Sequence, residues 1–151
     1  MQTFPTFEAL EAAVGREVAL TDWLEITQER IDRFAQATDD HQWIHVDAAR
    51  AAQGPFGRPI AHGFLTLSLL SHWLGSSVQV PAARMTINYG VNRVRFPAPV
   101  PVGSRLRARL CLQACERPGP HQLQATWHVT VEIEGGSKPA CVAEMLVRHY
   151  A

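Results

Sequence analysis

The chain has 151 residues, 46% hydrophobic and 19% charged, which is enough to bury a core and is ordinary for a globular protein rather than a disordered one. Lys plus Arg and Asp plus Glu number 14 each, so no net field recruits nucleic acid or an anionic membrane. No apolar run approaches the roughly 18 residues of a membrane span. Met1-Gln2-Thr3-Phe4-Pro5 lacks the basic start of a secretory signal. Three cysteines (Cys111, Cys115, Cys141) without CxxC spacing argue against a disulfide framework or a structural zinc. One cytoplasmic domain over residues 1–151 is expected.

In chain order, Arg16 to Leu24 mixes apolar and polar residues and reads as a first strand. Thr27 is a good N-cap, Glu29 suits the positive first turn, and Ile31, Phe34, Ala35 and Thr38 share a helical face. That helix should end near Asp39-Asp40. Carboxylates there meet the negative end of the helix dipole and gain nothing in stability, which favours a functional role. Residues 54–59, Gly-Pro-Phe-Gly-Arg-Pro, are a loop. Seven of the eleven residues from Phe64 to Leu74 are apolar and keep to no single stripe, predicting a helix buried on most sides. Gly75 would stop it.

The period then changes. Tyr89 to Phe96 reads as a strand, with a further edge strand within 78–88, and Pro97, Pro99 and Pro101 mark a bend. In 104–115, Leu106, Ala108, Leu110 and Leu112 alternate with polar positions. In 121–134, Leu123, Ala125, Trp127, Val129, Val131 and Ile133 do the same, and 141–150 repeats the pattern more weakly. Residues 117–120 and 134–137 supply the turns. The class is α+β: a long buried helix with a curved antiparallel sheet wrapped around it.

Chemistry concentrates in Asp40-His41-Gln42-Trp43-Ile44-His45 and Ala61-His62-Gly63. An acid and an imidazole five residues apart lie beside a helix start whose N–H groups are free. Adding water across an activated double bond requires that combination. From spacing alone, a capping Asp and a structural loop His are an equally open reading. Gly63 either offers its N–H to a carbonyl or serves tight packing. His62 reads as a structural residue of the loop. Ser71, two helical turns on, either reaches the site or bonds back to its own helix. Arg93 and Arg95 share a strand face, for phosphates or for solvent, and Arg105, Arg107 and Arg109 form a plain exposed face. Trp73 and Trp127 read as core. The remaining histidines form no metal-ligand pattern, so no metal is expected.

Phe34 to Ala51 resembles the hydratase signature of the MaoC-like, (R)-specific enoyl-CoA hydratases: an aromatic, then Gly-Asp-x-Asn-Pro-aliphatic-His, then a small residue. Gly54 to Gly63 is similar to that family's second signature, and Asn92-Arg93-Val94-Arg95-Phe96 with Pro99, Val100 and Gly103 to its third. Asp39, Gln42 and Trp43 depart from the strictest pattern and resemble a subgroup that includes proteins similar to nodulation protein N. The resemblance implies a hotdog fold and a homodimer whose sheets join edge to edge. It implies a trans-2-enoyl thioester of coenzyme A or acyl carrier protein as substrate, and no cofactor beyond that carrier. Asp40 would be the base, His45 its water-holding partner, Gly63 the carbonyl donor and Ser71 a polar substrate contact. A hotdog thioesterase and a non-catalytic acyl-thioester-binding subunit are the competing readings.

Overall fold

A computed structural model describes residues 1–151. The chain opens with β1 (Gln2–Thr3) and α1 (Phe7–Glu11), which Thr6 caps by accepting from the Ala9 N–H. The strand expected at 16–24 divides into β2 (Glu17–Leu20) and β3 (Leu24–Glu25). α2 (Gln28–Thr38) begins where the Thr27 hydroxyl accepts from the Arg30 N–H at 3.2 Å. It ends at Asp39, with φ 58° and ψ 20°. That left-handed cap favours glycine and tolerates Asp better than most residues, so Asp fits where the family signature has Gly. Two short helices follow, α3 (Trp43–Val46) and α4 (Ala48–Ala52), the second capped by Asp47 accepting from the Arg50 N–H. Next come α5 (Gly63–Ser77), β4 (Val78–Gln79), β5 (Met85–Arg95), β6 (Arg105–Glu116), β7 (Gln122–Ile133) and β8 (Cys141–Tyr150).

The main sheet has the order β2-β6-β7-β8-β5, with β3 also on β6, and all its pairs are antiparallel. β1 and β4 form a small parallel pair. The period-2 reading holds: Leu106, Ala108, Leu110 and Leu112 on β6 are buried, as are Leu123, Ala125, Trp127, Val129 and Val131 on β7. They form one cluster with Leu65, Leu69, Leu70, Trp73 and Leu74 of α5, so the sheet wraps the helix as expected of a hotdog.

Several expectations need correction. α5 does not stop at Gly75 but runs to Ser77, where Val78 turns extended to enter β4. Nor is α5 buried on most sides in this chain. The sheet covers only the stripe of Leu65, Thr66, Leu69, Leu70, Trp73 and Leu74, leaving Phe64, Ser68 and Ser71 exposed. The strand expected at 89–96 begins at Met85 and lies at the sheet edge, paired only with β8. Arg93 and Arg95 do not share an ordinary strand face, because Arg93 has φ 52° and the register shifts between Asn92 and Arg95. Arg105, Arg107 and Arg109 are not a plain solvated row. They pair with Glu134, Glu132 and Glu17 across neighbouring strands, and the Arg107 guanidinium also stacks on Trp23.

Candidate active site

The loop between α2 and α3 brings Asp40 to the N-terminal end of α5. His45, on α3, is buried, and its Nδ1 lies 2.7 Å from the Ile60 carbonyl oxygen. A carbonyl only accepts, so Nδ1 carries the proton and Nε2 is left with its lone pair. The backbone locks the same junction: the Ile60 N–H donates to the Ile44 carbonyl, the Ala61 N–H to Val100 and the Val102 N–H to Pro59. Burial pushes the His45 pKa below its ordinary value of 6.5, and a charge on His62 would push it the same way. The Ile60 carbonyl and Asp40 oppose the shift without reversing it. His45 is therefore a neutral imidazole at neutral pH, with an acceptor nitrogen.

The Asp40 carboxylate is half-exposed, and its Oδ1 accepts from the Gln42 N–H at 3.4 Å. His62 is buried and donates from Nε2 to the Asp40 carbonyl at 2.9 Å, while its ring stacks on His45 with centroids 3.8 Å apart. Phe34 packs on the other side of His62 at 5.0 Å. One donor atom each from Asp40, His45 and His62 lies within 4.8 Å of the others, with no direct hydrogen bond between Asp40 and His45. A separation of that size is the span that one water covers between two hydrogen-bond acceptors. The same three groups form the one cluster whose spacing could hold a metal ion. The rings lie only 24° from parallel, so their in-plane lone pairs run side by side instead of meeting at a point. One nitrogen of each ring is also committed to a carbonyl.

Gly63 follows His62 directly and is the first residue of α5, so its N–H has no partner one turn back. None of the loop and turn hydrogen bonds uses it. A Cβ built there would stand 3.0 Å from the Phe96 ring, so close packing also favours a glycine here. The two readings of Gly63 are compatible.

A family model described as a MaoC like domain matches residues 9–133. The chain belongs to the MaoC-like family. It is 55% identical to 3-hydroxyacyl-thioester dehydratase Z of Mycobacterium tuberculosis over 151 residues, 100% of both chains. It is 47% identical over 135 residues to nodulation protein N of Rhizobium leguminosarum bv. viciae, covering 88% of this chain and 84% of that one. Among solved structures, the (R)-hydratase from A. caviae involved in PHA biosynthesis superposes with a TM-score of 0.71 at 28% identity, covering 87% of this chain and 95% of that one. The fold is the hotdog.

For this MaoC-like chain, Asp40, His45 and Gly63 gather at one place, but Ser71 does not join them. Eight residues further along α5, it lies about 12 Å from Gly63 along the helix axis, and its hydroxyl accepts from Asn88 Nδ2 at 2.8 Å. Sequence reasoning missed Gln28, whose side-chain N–H groups donate to the His45 carbonyl and to Asp32 Oδ1, each at 2.8 Å. It also missed the His62 ring stacked on His45. Trp43, a departure from the strict pattern, lies against Gly54: a Cβ there would come within 2.9 Å of the indole, and the Arg50 guanidinium covers that ring at 4.5 Å. This wedge stands just before His45 on α3. No helix is long and apolar enough to cross a membrane.

Proposed function

We propose that Asp40 and His45 hold the reacting water of a hydro-lyase that interconverts trans-2-enoyl and (R)-3-hydroxyacyl thioesters, and that the Gly63 N–H takes up the thioester carbonyl. The observation that carries this reading is the neutral His45 ring, with Nδ1 held by the Ile60 carbonyl and Nε2 left with its lone pair, grouped with the Asp40 carboxylate and beside an unbonded helix N–H. The chain is a hydratase/dehydratase: relatives over most or all of its length are a 3-hydroxyacyl-thioester dehydratase, a 3-hydroxybutyryl-CoA dehydratase and an (R)-specific enoyl-CoA hydratase.

In the hydration direction, the water donates one hydrogen to Asp40 and one to His45 Nε2, which turns an oxygen lone pair toward C3. Asp40 removes a proton as the C3–O bond forms, and the C2–C3 π electrons move onto the thioester carbonyl oxygen. That oxygen meets the Gly63 N–H, a type of contact worth roughly 3 kcal/mol in other enzymes. The enolate collapses as the Asp40–His45 pair returns one proton to C2, so that one water has been added and the pair is restored. The chemistry needs no metal and no cofactor beyond the coenzyme A or acyl carrier of the substrate.

A second copy of the chain is the proposed partner. β5 leaves one edge without hydrogen-bond partners, and Met85, Ile87, Tyr89 and Val91 are exposed along it. Long apolar edges of this kind pair with another strand. The proposed setting is the cytoplasm. The test is incubation with trans-2-enoyl-CoA and chiral analysis of the product: (R)-3-hydroxyacyl-CoA is expected, whereas release of free thiol instead would assign thioester hydrolysis.

A further inference from the structure

We propose that His62 is a positioning residue for the hydration step, holding Asp40 through its backbone carbonyl and His45 through the face of its ring. The proposal rests on the Asp40–His45 reading above. His62 is the N-cap residue of α5, yet its side chain caps nothing there. It reaches instead across 22 residues of sequence, where Nε2 donates to the Asp40 carbonyl at 2.9 Å. Oδ2 of the Asp40 carboxylate lies 4.0 Å from the same nitrogen. Phe34 of α2 stands 5.0 Å from the His62 ring, and His45 of α3 stacks on it at 3.8 Å. One side chain thus ties the start of α5 to α2, to the loop that carries Asp40 and to the helix that carries His45.

Stability alone does not call for a histidine here. The residue is 2% exposed, and its second ring nitrogen, Nδ1, is buried without a hydrogen-bond partner. An unpaired buried polar atom costs stability, and an apolar side chain of similar volume would avoid that loss. What the histidine adds is a flat ring that also donates to Asp40. For one water to be gripped by both acceptors, each must keep its place. His45 is anchored by the Ile60 carbonyl, whereas the Asp40 side chain has only the long 3.4 Å bond from the Gln42 N–H. The backbone bond from His62 is therefore what fixes Asp40 relative to His45. The titratable groups that face His45 are Asp40 from the loop and His62 from α5, while α2 presents Phe34 and the Gln28 amide. A charge on His62 opposes protonation of His45.

The test is steady-state hydration of crotonyl-CoA by variants that keep the space filled, each checked for folding by circular dichroism. His62→Gln keeps an N–H donor the same number of bonds from the backbone and loses the ring. His62→Phe keeps a ring and loses the donor, and His62→Leu loses both. A misplacement of about 1 Å costs on the order of 10²-fold in rate, so His62→Leu should lose about that factor in kcat with KM unaltered. His62→Gln and His62→Phe should each recover about tenfold of the loss. With no charge available at position 62, the acid limb of His62→Gln should move to higher pH. Native kcat in folded His62→Leu, or in both of the other variants, overturns the positioning role. A loss confined to KM, Gln and Phe variants no faster than Leu, or an unmoved acid limb in His62→Gln overturns it as well. A native chain that hydrates no enoyl-CoA instead overturns the reading beneath it.

Discussion

Gln28 ties α3 to α2 through two donated hydrogen bonds, to the His45 carbonyl and to the Asp32 carboxylate, each at 2.8 Å. Gln28→Ala removes both and leaves the His45 carbonyl without its donor. A neutral bond of this kind contributes about 1 kcal/mol, and a half-buried bond to a carboxylate about the same again, so the expected cost is about 2 kcal/mol. For a chain of this size that corresponds to a fall in Tm of roughly 4–8 °C. Gln28→Glu has the same shape but only acceptors. It would set a carboxylate against Asp32 and against a carbonyl, and should be less stable than Gln28→Ala at neutral pH. The gap should narrow toward about pH 4–5, where protonation returns a donor. α3 is four residues long and carries His45, so loosening it should move Nε2 as well. A misplacement of about 1 Å costs on the order of 10²-fold in rate. Calorimetric melting and enoyl-CoA hydration on the same preparations measure both effects. A Glu variant no less stable than Ala, or an Ala variant with the expected Tm loss and an undiminished rate, would refute this reasoning.

Asp39 holds a left-handed cap without being glycine and adds a carboxylate at a helix C-terminus. Asp39→Gly should therefore raise Tm by about 2–4 °C while leaving hydration unaltered; an unchanged or lower Tm counts against the strain. Burial holds His45 below 6.5, so the acid limb of kcat/KM, on which His45 takes up a proton, should have its midpoint below pH 6.5. An acid limb centred at or above pH 6.5 would contradict that shift. His149 is lowered by burial as well. The unfolded chain protonates both residues near 6.5 and the folded chain resists, so their share of stability is complete above that pH and is lost as pH falls toward the folded values. Melting at about pH 7.5 and pH 5.5 should show the loss, and His149→Phe should reduce it.

The parts of this molecule legible in the sequence are those with a repeating period or a cap. Thr27, the alternation on β6 and β7 and the apolar run of α5 each declare themselves over several residues. The Asp40–His45 pair was visible because both residues lie in one short stretch just past the end of α2. What held them was not visible: the Ile60 carbonyl is 15 residues from His45, and His62 reaches Asp40 across 22. Such contacts depend on loop paths that leave no periodic trace. α3 and α4, of four and five residues, are too short for a helical period to register. The irregular register at Arg93 broke the shared strand face that the sequence assigned to Arg93 and Arg95. Gly75 failed as a stop because α5 leads straight into a strand there, so no left-handed turn is needed.

The central claim is that Asp40 and His45 share the reacting water. Asp40→Asn and His45→Gln each keep the shape of the site and remove an acceptor or its basicity. Hydration of crotonyl-CoA by folded preparations of each variant, compared with the native chain, tests the claim most directly. Rates lower by about 10²–10⁴-fold in both, with unaltered circular dichroism, are the expected result. Near-native rates in either folded variant would contradict it.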